Sequence, residues 1–364
     1  MELIVRKEFS NKIRNVAKIV DRSGVLQGTP IKFYTENGKV LIHATRETIA
    51  MIARSNGDEV EIVSEGEMFL SRQVVDSVLV FLNTLSSDDF IKIKSDETAV
   101  QLFNSSHVRI ARLALSSAKS IWDFFALGDN VPSAVLDAEE FYKAIDFASH
   151  IRMRDDQFSA GFYFISENNL FEVACTDAAK LSSQTMDAVC NGEFKVFVNR
   201  ELISIISFLR NEGKIKIKSD GRSFCIETRD YRVRTNVLLQ AFPNHRRLLQ
   251  EQRIRNATLN VDAIKDALSK IDTIIDNENF RVEFMLNKGG LVLNSKNKTL
   301  GEISLSVEAD FDFTESSILF DCKYIQKLFA SFNDKKVIME FNPDSTVLFR
   351  GTKVQCLVMP LVLV

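Results

Sequence analysis

The amino-acid sequence predicts an α+β fold made of three tandem repeats, each with two helices packed on antiparallel β-sheets. Three observations lead there. The segment IKIKSD occurs at Ile91–Asp96 and again, unchanged, at Ile215–Asp220; a weaker third version, VIMEFNPD, ends at Asp344, so the three aspartates stand 124 residues apart. All three alternate apolar with polar residues, the period of a half-buried strand. Upstream of each, a short apolar run (MFL, VFV, ILF) leads into Ser71, Asn199 or Asp321. Side-chain oxygens of these types accept the first free N–H groups of a helix. Apolar residues follow at plus four and plus seven: Val75 and Val78, Ile203 and Ile206, Ile325 and Leu328. Finally, each repeat opens on a helical stripe: Phe9, Ile13 and Val16, then Phe141, Ile145 and Ala148, then Ile264, Leu268 and Ile271. The boundaries fall near 127 and 252, giving domains 1–127, 128–252 and 253–364, each large enough to bury its own core.

Shorter alternations place strands at Lys39–Ala44, Val60–Val63, Gly161–Ile165, Phe171–Cys175, Phe224–Thr228, Tyr231–Val237, Arg281–Leu286, Leu291–Asn294 and Val354–Val358. NKGG at Asn287–Gly290 reads as a hairpin turn, because glycine tolerates positive φ. The 28 phenylalanines, against one tryptophan, read as core.

Composition narrows the function. The 46 basic and 49 acidic residues leave a net charge of −3, so binding to nucleic acid depends on where charge sits. The five cysteines are odd in number and none forms a CxxC pair, which argues against a zinc site or a disulfide framework. The opening MELIVRKEFSNK is too polar for a signal peptide, and no stretch of 18 apolar residues occurs, so a cytoplasmic location without membrane contact is expected. No phosphate loop, GxGxxG, HExxH or GxSxG is present, and the four histidines are far apart. The pairs Asp88–Asp89 and Asp310/Asp312 read as solvated turn carboxylates rather than metal ligands. No cofactor, metal or catalytic residue is expected.

Three local signatures, in order, carry a family resemblance. Ala241-Phe242-Pro243-Asn244-His245-Arg246-Arg247-Leu248-Leu249 resembles the FPDYRR segment of the bacterial DNA polymerase III beta subunit, the sliding clamp. Ala174-Cys175-Thr176-Asp177-Ala178-Ala179-Lys180-Leu181 is similar to that family's TDGHRL turn, and Val358-Met359-Pro360-Leu361 to its closing VMPM. On a threefold repeat of the right length, the chain resembles a divergent beta sliding clamp with the DNA-clamp fold. The resemblance implies a non-catalytic processivity factor: a head-to-tail homodimeric ring around double-stranded DNA, without sequence preference. It further implies a replicative DNA polymerase, a clamp loader and other clamp-binding-motif proteins as partners.

A sliding ring needs phosphate attraction without base contacts. Opposite their apolar stripes the helices carry Lys7, Lys12, Arg14, Lys18, Lys143 and Arg200, then Lys265, Lys270, Lys323 and Lys327; Arg152 and Arg154 follow the second repeat's first helix. Of these, Lys12, Arg14, Lys143, Arg152, Arg154, Arg200, Lys265 and Lys323 are the DNA-facing candidates. The resemblance puts the dimer contact at Val108 and Ile110 on one side and Ile274 and Ile275 on the other. It puts a partner-peptide pocket between the second and third domains. Thr176, Ala178, Lys180 and Leu181 form one wall of that pocket, Pro243, Arg247 and Leu248 another. Tyr324, Thr346, Val358, Met359, Pro360 and Leu361 complete it. The chain departs from the family at Ser159, at Ala178-Ala179-Lys180, where the family has Gly-His-Arg, in the region Gly24–Pro30, and in the apolar tail Leu361–Val364. Lysine lacks arginine's planar fork. A monomeric scaffold that binds clamp partners, and a carboxylate-metal phosphohydrolase, are the other readings the residues leave open.

Overall fold

A computed structural model describes residues 1–20, 29–118, 121, 127–149, 151, 161–288, 290–343 and 345–361. These form two compact units, Met1–Glu139 with Cys190–Leu238 and Glu140–Val189 with Leu239–Val364. Both units contain pieces of two sequence repeats.

In the first unit, helix α1 (Phe9–Ala17) buries Phe9, Ile13 and Val16. It packs beside α2 (Arg72–Asn83), which buries Val75, Val78, Leu79 and Leu82. The Ser71 hydroxyl accepts the Val74 N–H, as its position predicts. A five-stranded antiparallel sheet runs in the order Val60–Ser64, Glu2–Val5, Ile91–Ser95, Ala99–Phe103, Arg109–Ala114. The second IKIKSD copy forms strand Lys214–Ser219, which continues through Ser223–Glu227 to Tyr231–Asn236. That last strand pairs with Ile49–Arg54, Tyr231 opposite Ala53 and Thr235 opposite Ile49.

The helix expected after Asn199 is two 3₁₀ stretches, Arg200–Ser204 and Ile206–Asn211. The Asn199 side chain still accepts the Glu201 N–H, and Ile206 is buried as expected, together with Leu202, Ile205 and Leu209, whereas Ile203 is only half-buried. Ile203, Ile205 and Ile206 are β-branched and stiff at χ1, which weakens the α-helical alternative while burial keeps the stripe.

In the second unit, α3 (Ala138–Ser149) brings Phe141 to within 5.8 Å of Phe164 and Phe171, ring centre to ring centre. Those rings belong to strands Gly161–Glu167 and Leu170–Thr176, which continue into Lys180–Asn191. The short α4 (His245–Gln250) precedes strand Arg255–Asn260 and α5 (Val261–Ile271), which buries Ile264, Leu268 and Ile271. Helix α6 (Cys322–Ser331) starts where the Asp321 carboxylate accepts the Tyr324 N–H. A four-stranded sheet runs Gly301–Val307, Gly290–Asn297, Arg281–Asn287, Ser316–Asp321. Its NKGG hairpin closes on an Asn287–Gly290 pair with Gly290 at φ +114°; Gly289 lies outside the described residues.

The repeat is visible in the pairing. Each strand from the recurring segment lies antiparallel to the strand preceding its repeat's first helix: Ile91–Ser95 with Glu2–Val5, Lys214–Ser219 with Ser133–Asp137, and Lys336–Phe341 with Arg255–Asn260. Asp344, the third spaced aspartate, lies outside the described residues.

Candidate peptide groove and charged surfaces

In the second unit, Lys180–Gln184 pairs antiparallel with Val358–Val354. The turn before this ladder is held by side chains. The Asp177 carboxylate accepts the Ala179 and Lys180 N–H groups at 3.1 and 2.8 Å, and the Thr176 hydroxyl donates to the Lys180 carbonyl at 2.7 Å. Ala178 sits at φ +66°, a left-handed conformation that glycine adopts more cheaply. Beyond the ladder the tail stays tethered. Met359 N–H donates to the Ala179 carbonyl at 2.9 Å and Leu361 N–H to the Leu319 carbonyl at 2.8 Å.

The FPNHRRLL segment is anchored from both ends. Asn244 caps α4 by accepting the Arg247 N–H, and Leu249 joins Leu181, Leu348 and Leu357 in a buried apolar cluster against which Phe242 packs. The Phe242 ring stacks on Tyr163 at 4.7 Å and 8°. Between these anchors the buried Glu172 carboxylate lies 2.6 Å from His245 Nε2, accepts the Ser183 hydroxyl at 2.6 Å, and accepts two Arg246 N–H groups at 3.0 and 2.5 Å. Arg246 also bonds Glu167. Burial alone would push the Glu172 carboxyl up; the contacts from His245, Ser183 and Arg246 outweigh it and hold the group at about 2.

Beside the tail opens a cleft of about 920 Å³. The predicted residues Thr346, Met359, Pro360 and Leu361 line it, together with Leu319, Arg255, Glu283 and Asn342, which sequence reasoning did not single out. Glu172, Glu167 and Tyr163 were missed as well. The available signal was a lone carboxylate inside the apolar run Phe171–Cys175.

The other predicted pocket residues sit at different depths. Thr176, Leu181, Tyr324 and Val358 are buried, Pro243 and Lys180 are half-buried, and Ala178, Arg247 and Met359 are exposed. The Lys180 ammonium stands 4.3 Å from the centre of the Tyr324 ring. Leu248 points outward while Leu249 fills the core. Ser159 and residues 362–364 lie outside the described residues.

Among the DNA-facing candidates, Lys12 is corrected. It is 5% exposed, and its ammonium lies 2.8 Å from both Glu59 and Asp230, so it is neutralised inside the first unit. Its place off the Phe9, Ile13 and Val16 stripe suggests an outer face, but its ammonium turns in to Glu59 and Asp230. Arg14 is half-buried and donates to Asn11 and Asn83. Lys265 is half-buried and donates to the Phe332 carbonyl, Arg200 is half-buried, and Lys143 and Lys323 are exposed. Arg152, Arg154 and residues 24–28 lie outside the described residues. Of the dimer candidates, Val108 and Ile110 are exposed at the outer strand of the five-stranded sheet. Ile274 is buried beside Asn297, which donates to its carbonyl, and Ile275 is half-buried. Asp89 accepts the Ser86 and Ser105 hydroxyls, and Asp310 stands 3.7 Å from Lys336. Both are turn and surface roles.

A scan against models of known protein families finds no match. Among curated proteins, the chain is 17% identical over 209 residues to the beta sliding clamp of Borreliella burgdorferi, covering 54% of this chain and 52% of that one. It is 23% identical over 170 residues to the beta sliding clamp of Proteus mirabilis, covering 45% and 46%. These matches span about half the length of each relative. Solved structures align over 100% of both chains. They include the DNA polymerase sliding clamp of Pseudomonas aeruginosa, with a TM-score of 0.85 at 15% identity, and the beta sliding clamp of C. crescentus, 0.85 at 18%. The DNA polymerase III beta subunit of Thermotoga maritima gives 0.83 at 17%. The resemblance carried by the three motifs therefore holds: the chain has the DNA-clamp fold, as a divergent likeness of the bacterial beta sliding clamps.

Proposed function

We propose that this chain is a DNA sliding clamp, a non-catalytic processivity factor working in the cytoplasm. Its domains are 1–127, 128–252 and 253–364. The observation that carries this reading is the clamp fold over the full chain, at TM-scores of 0.83 to 0.85. Two copies join head to tail around double-stranded DNA, and the ring tethers a replicative polymerase, a clamp loader and other partners.

The surfaces support it. The first unit's five-stranded sheet ends on Arg109–Ala114, with Val108 59% and Ile110 39% exposed. The second unit's four-stranded sheet ends on Gly301–Val307. Among the described residues each end strand has one unpaired edge, and two different edges on one chain suit a heterologous contact that closes by rotation. Ile275 flanks the second edge in this reading; Ile274 serves as core behind it. Phosphate attraction falls to Arg14, Lys143, Arg200, Lys265 and Lys323, with Arg152 and Arg154. The cleft beside Met359–Leu361, lined by apolar and polar side chains together, suits a short extended peptide.

Light scattering coupled to gel filtration tests the ring. The expected mass is twice the chain's 41.2 kDa. Retention on circular DNA, lost when the circle is cut, then tests encirclement. A chain that runs as a monomer and leaves circular and linear DNA alike would overturn the clamp reading in favour of a monomeric scaffold.

A further inference from the structure

We propose that Asn297 is the positioning residue of the second unit's ring contact: its buried carboxamide locks the loop carrying Ile275 to the turn carrying Leu300, so that both apolar side chains stand preformed beside the end strand for a second copy of the chain. This rests on the two-copy ring reading above and adds what sets the shape of one of its faces.

Asn297 ends the strand Gly290–Asn297 and is 4% exposed. Both halves of its carboxamide are fully used. The oxygen accepts the Thr299 and Leu300 N–H groups at 2.9 and 3.0 Å, which closes the turn into the end strand Gly301–Val307. The nitrogen donates to the Ile274 carbonyl at 2.8 Å and to the Asp276 carboxylate at 2.7 Å, in the loop that follows α5. Asp276 in turn accepts the Glu278 and Asn279 N–H groups at 2.8 and 2.7 Å and closes that loop on itself. One side chain therefore ties two loops into one surface.

Closing the turn does not need the nitrogen. The hairpin that ends on Arg109–Ala114, the first unit's end strand, shows this. There Asn104 accepts the Val108 N–H at 2.9 Å with its oxygen, and its amide nitrogen donates to nothing else among the described residues. What the Asn297 nitrogen adds is a fixed backbone on both sides of Ile275, at Ile274 and at Asp276. Ile275 is half-buried and Leu300 is 63% exposed. Apolar side chains held in place before contact lose less freedom when a partner covers them. A second copy suits this edge by charge as well: Glu302 and Glu308 are exposed along it, and Arg109 and Arg112 are exposed along the other.

The test mixes full-length chain carrying a donor dye with full-length chain carrying an acceptor dye, and follows subunit exchange by energy transfer. Asn297→Asp sets a second carboxylate against Asp276 and should speed exchange at least about tenfold. Adding Asp276→Asn to it returns a donor to the pair and should bring the rate to within about threefold of the unmodified chain. Leu293→Ala truncates a fully buried residue of the same strand. It should lower the urea midpoint yet leave exchange within about twofold, which separates positioning from general loosening. Leu300→Ser, at an exposed site, should leave the urea midpoint in place and speed exchange at least about threefold. Equal acceleration by Leu293→Ala and Asn297→Asp would overturn the inference, as would an unmoved rate in Asn297→Asp or no rescue by Asp276→Asn. An unmoved rate in Leu300→Ser would do so too, and remains decisive if Asn297→Asp fails to fold. Absence of energy transfer between unmodified chains at 100 µM, roughly the limit of a weak contact, would overturn the ring reading itself.

Discussion

The two units contain the same junction built twice, with opposite chemistry. In the first, Ile49–Arg54 pairs with Tyr231–Asn236; in the second, Lys180–Asn191 pairs with Val354–Val358. Each ladder is preceded by a turn holding one left-handed residue, Glu47 at φ +41° and Ala178 at φ +66°. Each is followed by the same tether. Asn236 N–H reaches the Thr48 carbonyl and Leu238 N–H the Phe197 carbonyl, as Met359 reaches Ala179 and Leu361 reaches Leu319. The first junction is sealed. Lys12 sits between Glu59 and Asp230, Asn15 bonds Tyr231, and Arg46 pairs with Glu201 at 3.4 Å. The second leaves Met359 53% exposed beside a cleft, with Lys180 resting on Tyr324. One backbone scaffold therefore serves either as a joint or as a groove, and the side chains at a few equivalent positions choose which.

The largest expected effect breaks the sealed junction. Lys12→Met leaves Glu59 and Asp230, with side chains 15% and 17% exposed, without their cation, and should cost about 3–5 kcal/mol in urea unfolding. Arg46→Met, at a pair about one-third exposed on both sides, should cost about 0–1 kcal/mol. Equal costs would show that the first junction is not held by Lys12 and its two carboxylates.

Acid should act on the other junction. Glu172 is held at about 2 in the folded chain against an ordinary 4.5. Its folded value is the lower one, so its contribution is fully present above pH 4.5 and is lost as pH falls toward 2. The size is about 3 kcal/mol. Glu172→Gln should flatten the acid limb of a stability–pH profile by that amount, with Arg246 the cation left behind. An unchanged acid limb would remove Glu172 as the anchor of the FPNHRRLL segment.

Met359→Ala should weaken binding of a short extended partner peptide about tenfold, or about 1.4 kcal/mol, and change stability by less than about 0.5 kcal/mol, because the side chain is half in water. A stability loss larger than the binding loss would make Met359 core rather than groove. The smallest effect is at the turn. Ala178→Gly should stabilise the chain by about 0.5–1 kcal/mol, the left-handed strain relieved less glycine's backbone entropy. A loss would mean that the turn is held by more than its φ.

Local patterns reported local structure well. Ser71, Asn199 and Asp321 all accept an N–H of the following turn, and Val75, Ile206 and Leu328 all point inward. The strand at Val354–Val358 and the NKGG hairpin stand where alternation and glycine put them. The pattern could not choose between α and 3₁₀ geometry after Asn199, because both bury Leu202 and Ile206. Of the groove, the motifs supplied the tail and the turn. They did not supply Glu172, which lies in the other strand of its hairpin, or the burial of Leu249 in the apolar cluster, which depends on the helical phase of a six-residue helix.

The sequence by itself determined the three repeats, the caps, the apolar faces and the family likeness, because these follow from spacings of 2, 3 and 4 residues and from motifs read in order. Only the tertiary structure decided that Lys12 is buried and paired, that one junction is sealed and the other open, and that the Lys180 ammonium rests on the Tyr324 ring. Each of those depends on groups tens to hundreds of residues apart. Their meeting is set by how strands register and faces pack, which no short window of sequence contains.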